Sequence, residues 1–505
     1  MKLSRLVEGL DVAPADVAAT DGAASDPDVS GIVHDSRRAA PGALFVAWKG
    51  QRFDGTAFAA NAATAGAVAV VAAHGSPRPA GVPADVPWLT AADPHRLLAP
   101  LAARLHGHPD REMLTAGVTG TNGKSTVATL LASIFDAAGR TSGLLGSLGY
   151  RLGTRLFDKG RTTPEASDLF RLLRVMRDEG AQAIAMEVSS HALALGRVEG
   201  MGFDLGVFTN LTRDHLDFHR DFEDYFQAKK RLFGMLKSRG AVASTGMAAV
   251  NVDDPYGARL AAELPAERVL TWGAAAGDVR PLAVDLHVHG MDLRLATPRG
   301  ELEVASPLLG SFNLLNVLAA VAGAEALGLP PAAIQAGVAD VQPLPGRMQP
   351  VEAGQPFPVY VDYSHTPQAL EAALQAVREL AHSRVLVVFG CGGDRDAGKR
   401  PQMGKIAGEL AEIPILTSDN PRTEDPMRIL AAVEEGVKES GNESYRVVPD
   451  RREAIRLAME LADAGSLVLI AGKGDEPVQI VGGEELPFFD YDEAVKALES
   501  KYGGG

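Results

Sequence analysis

The sequence has one cysteine, no long apolar run and a shortage of positive charge. Because Cys391 is the only cysteine among 505 residues, an internal disulfide framework and a cysteine-rich zinc site are both excluded. No stretch reaches the roughly 18 consecutive apolar residues that a membrane span needs, and the N-terminus lacks the apolar core of a signal peptide. We therefore expect a cytoplasmic protein in which any metal ligands are oxygen atoms or histidines.

Acidic residues outnumber basic ones, 64 to 49, which gives the chain a net charge of −15. Such a charge argues against general binding to nucleic acid or to anionic membranes, although local basic patches can still bind phosphate groups. Hydrophobic residues make up 46% of the chain and charged residues 22%, which is the composition of a globular protein. We expect a soluble, monomeric enzyme that acts on small-molecule substrates, without a nucleic-acid partner and without membrane insertion.

The length predicts about three domains, since a domain usually has about 100–200 residues. Residues 1–108 combine short apolar runs with a closing helical stretch and predict a small α/β domain. Residues 109–344 alternate apolar strands with helical patterns, as in a parallel sheet covered on both faces. Prolines in VQPLPGRMQP interrupt this periodicity, and residues 345–505 begin a new α/β series that predicts a Rossmann-like domain.

The segment TGTNGKST, residues 119–126, has the composition and setting of a phosphate-binding loop. The run LTAGV before it predicts a buried strand, and residues 124–138 predict a helix. In such a loop the backbone N–H groups surround a phosphate, Lys124 can reach the β/γ oxygens, and the Ser125 hydroxyl can ligate Mg²⁺. Val118 stands where the strict motif has its first glycine, so a chance glycine turn is the alternative. The flanking strand and helix favour a P-loop-type ATP-binding domain.

Several other residues fit both a functional and an ordinary interpretation. Glu187 ends an apolar strand, where a carboxylate either meets Mg²⁺ or is simply solvated. His215, Asp217 and His219 have the alternating spacing of a metal site, but an ordinary polar loop is the better interpretation. From the residues alone, the ordinary interpretation also holds for Lys229 as a solvated helix lysine, for Arg347 as a linker charge, and for Asn313 and Asn316 as helix caps.

Three apolar strands in the last segment each lead into a polar loop. VLVVFG precedes CGGDRDAGKR, PILTS precedes DNPRTEDP, and SLVLIAGKG precedes DEPVQ. Open α/β sheets bind ligands at the carboxyl ends of their strands, so these loops predict a binding site. A dinucleotide oxidoreductase receives little support, because Arg395 stands where the last glycine of the fingerprint belongs.

Twelve motifs, in order along the chain, resemble those of the Mur ligases. They are DSRRAAPGALFVAWKG, TGTNGKST, TTPE, EVSSHAL, NLTRDHLDFH, YFQAK, GSFNLLN, GRM, DYSHTP, GCGGDRDAGKRP, DNPRTEDP and AGKGDE. The resemblance implies an ADP-forming amide ligase of peptidoglycan synthesis, with one domain each for the UDP end of the substrate, for ATP and for the incoming amino acid. Within the family, DNPR is typical of members that add meso-diaminopimelate, rather than lysine, to UDP-N-acetylmuramoyl-L-alanyl-D-glutamate.

The resemblance also implies roles for individual residues. ATP would be bound by Gly120, Thr121, Asn122, Gly123, Lys124, Ser125, Thr126, Asn313 and Arg347, with Asp362 and His365 close to it. Mg²⁺ would be held by Ser125, Glu187, His215 and a carbamylated Lys229, and catalysis would involve Lys124, Lys229 and His215. The other substrates would contact Ser36, Thr162, Thr163, Ser189, Arg197, Arg395, Asp419, Asn420, Pro421, Arg422, Gly472 and Glu476.

Three alternatives share parts of this pattern. A lysine-adding Mur ligase and a folylpolyglutamate synthetase use the same ATP chemistry, but DNPR argues against the first, and DSRR and TTPE argue against the second. A nucleotide-dependent switch or binding module would bind ATP without ligation. ADP release that depends on the substrates distinguishes a ligase from such a module.

Overall fold

The computed structural model describes residues 1–14, 25–50, 53–157, 160–216, 218–238, 245–287, 289–381 and 383–502. Asp217, one of the three spaced polar residues considered as metal ligands, lies outside these ranges. A large sheet lies in each of the three predicted segments, so the α/β fold class is confirmed. None of the helices in the described ranges is long and apolar enough to cross a membrane.

The first segment forms a five-stranded sheet in the order β1-β5-β4-β3-β2, in which only β1 is antiparallel. Its elements are α1 (Leu3–Val7), β1 (Ala13–Pro14), β2 (Gly31–Val33), β3 (Ala43–Val46), α2 (Ala59–Thr64), β4 (Ala67–Ala73), β5 (Trp88–Ala91) and α3 (Pro94–Leu105). Strand β3 is buried along its whole length, as its apolar run predicts.

The central segment forms an eight-stranded sheet in the order β13-β12-β11-β6-β10-β7-β8-β9. Its elements are β6 (Leu114–Thr119), α4 (Lys124–Ala137), β7 (Ser142–Gly146), β8 (Gly149–Leu152), β9 (Arg155–Phe157), α5 (Ala166–Asp178), β10 (Ala183–Glu187), α6 (Ser190–Ala194), β11 (Leu205–Phe208), α7 (Phe222–Gly234), β12 (Met247–Asn251), α8 (Pro255–Glu263) and β13 (Val269–Trp272). Neighbouring strands pair in parallel, except that β8 is antiparallel to both β7 and β9. Two-residue connections join β7 to β8 and β8 to β9, and such short loops permit only antiparallel pairing.

Apolar side chains cover both faces of the central sheet. On one face Leu114, Ala116 and Val118 belong to the core formed with α4 and two further helices, α9 (Ser311–Ala326) and α10 (Pro331–Ala339). The antiparallel sheet β14 (Arg280–His287), β15 (Gly290–Thr297) and β16 (Gly300–Ser306) adds to this core and was not predicted from the sequence. The other face packs against α5 and α7.

The last segment forms a six-stranded sheet in the order β17-β18-β22-β19-β20-β21, with a separate hairpin of β23 and β24. Its elements are β17 (Gln349–Pro350), β18 (Val359–Asp362), α11 (Pro367–Leu380), β19 (Val385–Phe389), α12 (Lys399–Leu410), β20 (Ile413–Leu416), α13 (Pro426–Glu439), β21 (Arg446–Val447), α14 (Arg451–Leu461), β22 (Leu467–Ala471), β23 (Val478–Val481), β24 (Glu484–Pro487) and α15 (Asp490–Tyr502). The three strands that precede the polar loops, β22, β19 and β20, are neighbours and run parallel. Their loops therefore lie side by side.

A buried ion pair fixes α14 and α15 beneath these loops. Arg451 Nε and Nη2 donate to the two oxygens of Asp490, each at 2.7 Å, and both side chains are fully buried. Nη2 also donates to the carbonyl oxygen of Ala471 at 2.9 Å, at the end of β22. The pair thus connects two helices to the strand that leads into one of the polar loops.

Replacing Asp490 by alanine should lower the free energy of unfolding by about 3–5 kcal/mol, because the arginine would stay buried without its counter-charge. Glu453→Ala is the matched control, since Glu453 pairs with Arg456 at 2.6 Å on the exposed face of α14. Exposed pairs contribute little, so we expect the control to unfold close to the wild type in urea. Equal destabilisation by the two substitutions would show that burial does not increase the contribution of the Arg451–Asp490 pair to the free energy of unfolding.

Candidate active site

Glycines at two positions of the phosphate loop allow close contacts that no other residue permits. A Cβ on Gly120 would lie 1.8 Å from Thr209 Oγ1, and a Cβ on Gly123 would lie 2.3 Å from Asn316 Oδ1. Both glycines also have positive φ angles, +150° and +86°. The loop is therefore packed tightly between the end of β11 and helix α9.

The rest of the loop is fixed by the segment that follows β11. Thr121 N donates to the carbonyl oxygen of Asn210, and Asn122 N donates to Asn210 Oδ1, each at 2.9 Å. Thr121 Oγ1 lies 3.1 Å from the hydroxyl oxygen of Tyr225 on α7. Thr126 is buried in the first turn of α4. Hydrogen bonds thus join the loop to the segment after β11 and to helix α7, at the N-terminus of α4.

A half-buried lysine, Lys124, and a buried one, Lys229, donate to the same carbonyl oxygen of this loop. Lys124 Nζ lies 3.1 Å from the oxygen of Gly120 and 2.9 Å from that of Thr121, and Lys229 Nζ lies 2.7 Å from the oxygen of Gly120. Lys229 also lies over the ring of Tyr225. Burial, followed by the charge of Lys124, lowers the pKa of Lys229 well below its usual range. Burial therefore favours the neutral form of this amine next to the phosphate loop.

Oxygen atoms meet on the other side of the loop, at the end of β10. Glu187 Oε1 accepts hydrogen bonds from the backbone N–H and the hydroxyl of Ser147, at 2.8 and 2.9 Å. Ser147 Oγ in turn lies 2.9 Å from Ser125 Oγ. Oxygen ligands suit Mg²⁺, which usually takes one or two carboxylates and completes its shell with water and phosphate oxygens. Within the described ranges, no group of three or more His, Cys, Asp or Glu could hold a metal ion.

His215 lies in the loop after β11 and has the left-handed backbone conformation, with φ of +53°. Its Nε2 is 3.4 Å from Asp214 Oδ2, and its ring centroid is 4.8 Å from that of His191. The same ring is 6.2 Å from that of Tyr225, over which Lys229 also lies. His215 and Lys229 therefore approach the loop from the same side.

Asn313 and Asn316 are not the helix caps considered from the sequence. Helix α9 begins at Ser311 after Gly310, and no side chain caps it. Asn313 Nδ2 donates to the carbonyl oxygen of Leu309 at 2.7 Å, and Asn316 Nδ2 donates to Asn313 Oδ1 at 2.8 Å. The two amides form a buried chain that reaches the phosphate loop at Gly123. They therefore face the loop, whereas the side chain of a helix cap would bond to the N–H groups at the helix end.

Arg347 follows the second predicted boundary and faces the same region. Its guanidinium lies 4.4 Å from the ring centroid of Tyr363. Burial is the main cause that lowers the pKa of Lys124, and the charge of Arg347 adds to this lowering. The Asp362 carboxylate accepts from the N–H of Met348 at 2.8 Å, which fixes the adjacent turn. His365 Nδ1 lies 2.9 Å from the carbonyl oxygen of Tyr363. The last segment therefore contributes a cation to the loop region of the central one.

The predicted substrate residues that precede α5 and flank α6 are joined to the end of β10. Thr163 Oγ1 donates to the carbonyl oxygen of Glu187 at 2.9 Å and accepts from Ser189 N at 3.1 Å, and Thr162 is its neighbour. Arg197 Nη1 donates to the carbonyl oxygen of Thr163 at 3.3 Å. Ser189 caps α6. Thr163, Ser189 and Arg197 are thus within one connected network, and Thr162 precedes Thr163 in the chain.

Ser36 lies in the first segment, in a short turn that contacts the central segment. The turn spans Ser36–Arg38, and Arg38 forms two hydrogen bonds to the carboxylate of Asp168 on α5, at 2.8 and 2.6 Å. His34 Nδ1 lies 3.2 Å from Ser167 Oγ. These contacts place Ser36 over the start of α5, close to the threonines that precede this helix.

In the last segment, the two predicted arginines follow the neighbouring strands β19 and β20. Arg422 Nη1 donates to the carbonyl oxygen of Gly393 at 2.7 Å, and Arg395 Nη1 donates to that of Asp394 at 3.3 Å. Side-chain atoms of both arginines lie within 4 Å of the Cβ position of Gly392. Neither guanidinium has a carboxylate partner among the residues that the structure describes. Both are therefore available to an anionic ligand.

The other predicted residues of this site surround the arginines. Asn420 Nδ2 donates to Glu476 Oε2 at 2.7 Å. A Cβ on Gly472 would lie 2.8 Å from Asp419 Oδ2, so the two loops touch at that glycine. Pro421 is buried between Asn420 and Arg422. Acidic and basic groups thus lie at one sheet edge, as a ligand with both charges would need.

Three residues that contact these sites were not named from the sequence: Ser147, Glu165 and Lys473. Ser147 stands in no motif, and nothing in its neighbourhood marks it. Glu165 belongs to TTPE and pairs with Arg197 at 2.9 Å. Lys473 belongs to AGKGDE, between two residues that were named. For Glu165 and Lys473 the signal was present in the motifs themselves.

Comparison with known proteins identifies the family. Three family models match the chain in succession: the catalytic domain of the Mur ligase family at residues 28–106, the Mur ligase middle domain at 118–324, and the Mur ligase glutamate ligase domain at 346–474.

Curated relatives match nearly the full chain. Proteins of Geobacter metallireducens and Geobacillus kaustophilus, both named UDP-N-acetylmuramoyl-L-alanyl-D-glutamate--2,6-diaminopimelate ligase, are 43% and 44% identical over 486 and 478 residues. These alignments cover 93% and 94% of this chain, and 94% and 96% of the relatives. A solved structure of a ligase with that name is 33% identical, with a TM-score of 0.66, and the alignment covers 94% of this chain and 95% of the other. The chain belongs to the Mur ligase family.

Proposed function

We propose that the protein adds meso-2,6-diaminopimelate to the D-glutamate γ-carboxylate of UDP-N-acetylmuramoyl-L-alanyl-D-glutamate, with hydrolysis of ATP to ADP and phosphate. The observation that carries the proposal is the similarity, over almost the whole chain, to relatives with that name. Neither of these relatives is named a lysine-adding ligase or a folylpolyglutamate synthetase. The product would be a precursor of peptidoglycan, which supports cell shape and division.

The reaction needs two steps, because a free carboxylate does not form an amide in water. The γ-carboxylate first attacks the γ-phosphorus of ATP, ADP leaves, and an acyl phosphate forms. The amine of diaminopimelate then attacks the acyl carbon, phosphate leaves, and the amine loses a proton. Both steps depend mainly on positioning and on neutralising charge, for which Lys124 and Arg347 lie on the phosphate side.

Mg²⁺ would be held by Ser125, Glu187, His215 and Lys229. The connected oxygens of Ser125 and Glu187 fit the ion. When bound, Mg²⁺ would neutralise charge on the phosphate oxygens. An amine is a poor Mg²⁺ ligand, so Lys229 fits this role only after reaction of its neutral Nζ with CO₂. That reaction forms an N–C bond, releases one proton and leaves a carboxylate on nitrogen.

The remaining assignments concern organisation. We propose domain boundaries near residues 108 and 345, with the first domain binding the UDP end of the substrate and the last one binding diaminopimelate. The protein would act as a monomer in the cytoplasm, where nucleotide-linked precursors and ATP are available.

Replacing Gly123 by alanine should raise the KM for ATP at least tenfold, because its Cβ would displace the Asn316 side chain that lies 2.3 Å away. Gly139→Ala is the matched control. It has a similar φ of +76° at the other end of α4, but its Cβ would meet no atom within 4 Å. Both variants strain the backbone, so only the first should change the steady-state kinetics of ATP. An equal change in both would argue against the phosphate-loop assignment.

Loss of the Lys229 amine should remove most of the ligase activity, since it would remove the proposed carbamate. We expect Lys229→Ala to regain part of its activity when formate or acetate is added to the assay. Lys230→Ala is the control, because Lys230 is the next residue in the chain, is partly exposed and pairs with Glu263 at 2.6 Å. Near-normal turnover of Lys229→Ala, measured as phosphate release, would refute the role of the carbamate.

Diaminopimelate differs from lysine by one carboxylate, which would be bound by Arg422 and Arg395 through planar, two-point hydrogen bonds. A desolvated arginine without its partner is costly, so the wild type should prefer diaminopimelate over lysine by about 10⁴ in kcat/KM. Arg422→Ala should raise the KM for diaminopimelate and leave those for ATP and the UDP substrate unchanged. Arg428→Ala, on the exposed surface of α13, is the control. Equal use of lysine by the wild type would instead favour the lysine-adding alternative.

A further inference from the structure

Lys473 is a fully buried cation inside the proposed amino-acid site. It stands between Gly472 and Glu476, in the loop that follows β22, and its side chain has no exposed surface. Its Nζ donates to Asn420 Oδ1 at 3.0 Å, to Glu476 Oε2 at 3.0 Å and to the carbonyl oxygen of Val478 at 2.7 Å. A lysine has three N–H donors, so these bonds use all of them. Lys473 has none left for a substrate and can act only through its partners.

The first partner, Asn420, is held in one orientation by these contacts. Its Oδ1 accepts from Lys473 and also from the backbone N–H of Ile480 at 2.9 Å. Because both of those groups only donate, the amide nitrogen must point the other way. It donates to Glu476 Oε2 at 2.7 Å.

The second partner, Glu476, is held by a single oxygen. Oε2 accepts from Lys473 and Asn420, and the side chain is 33% exposed. Oε1 has no hydrogen-bond partner among the residues in the described ranges. The carboxylate is therefore fixed at one end and presents its other oxygen to a ligand, which suits the ammonium group of an amino acid.

The third partner leads to Arg422. Val478 begins the strand β23, whose Ile480 accepts a hydrogen bond from Arg422 N at 2.9 Å, and Gly482 N donates to the carbonyl oxygen of Arg422 at 2.7 Å. The backbone of Arg422 is left-handed, with φ of +55°, so it depends on these bonds for its conformation. One ammonium group thus fixes both the acidic and the basic side of the site.

We propose that Lys473 is a positioning residue for the amino-acid substrate, which sets the distance between the oxygen of Glu476 that receives the ammonium and the guanidinium of Arg422 that receives the carboxylate. This inference rests on the proposed function. A lysine that only stabilises the fold would affect unfolding without a selective effect on one substrate.

The test compares KM values for three substrates in Lys473→Met, an uncharged side chain of similar length. The KM for diaminopimelate should rise about 10- to 100-fold, because displacing a binding group by about 1 Å costs that much. The KM values for ATP and the UDP substrate should stay within twofold of the wild type. If Lys473→Met does not fold, Lys473→Gln, which keeps N–H donors, replaces it. We expect this variant to raise the KM for diaminopimelate as well, by a smaller factor.

Lys237→Met is the matched control for burial. Lys237 Nζ also has three acceptors, Asp204 Oδ2 at 2.7 Å and the carbonyl oxygens of Asp110 and Met113 at 2.8 and 3.3 Å. It lies at the opposite end of the central strands from the phosphate loop. We expect this variant to unfold more easily, with all three KM values unchanged.

A double substitution separates positioning from stability. If Lys473 acts through Glu476, Lys473→Met combined with Glu476→Gln should raise the KM for diaminopimelate by less than the product of the two single effects. Independent effects, or an unchanged KM in Lys473→Met while the wild type ligates diaminopimelate, would overturn this inference alone. A wild-type enzyme that does not use diaminopimelate would overturn the proposed function as well.

Discussion

The carbonyl oxygen of Gly120 receives hydrogen bonds from two lysines, Lys124 and the buried Lys229, and most of the active-site arrangement depends on this contact. Positive charge on both amines at once is unfavourable, because they share one acceptor and Lys229 is buried. Burial lowers the pKa of each, with Lys229 affected strongly. Nearby anions would stabilise positive charge at this site. A triphosphate beside Lys124 and a carboxylate formed on Lys229 are the two that the proposed chemistry supplies.

The neighbouring elements are arranged to keep those anions in place. Strands β10 and β11 lie on either side of β6, so the residues that follow all three strands meet at one edge of the sheet. Glu187 comes from one neighbour, and His215 comes from the other. Arg347 reaches the same region from beyond the second predicted boundary. The arrangement therefore needs both segments in contact, and a change in their relative position would change the charge around the phosphates.

The sequence predicted the parts of this arrangement that are local or periodic. The strand β6, the loop and the helix α4 were evident from an apolar run, two glycines and an amphipathic stretch, and the polar loops after β19, β20 and β22 followed from the same logic. The added antiparallel strands β8 and β9 were missed because short strands carry weak patterns. The true contacts of Asn313 and Asn316 were missed as well, since a residue near a helix start has the same sequence signature whether it caps the helix or faces a distant loop. Ser147 could not be found, because its role arises only when β7 lies next to β10.

His215 and Arg422 both have the left-handed backbone that residues with a Cβ rarely adopt. Each such position costs a domain about 1 kcal/mol or more relative to a relaxed backbone, and glycine would remove that cost. The most stabilising replacement at either position is therefore one that deletes the imidazole or the guanidinium. Selection for stability and selection for activity should therefore favour different residues at these two positions. Stability screens of this chain would enrich inactive variants there.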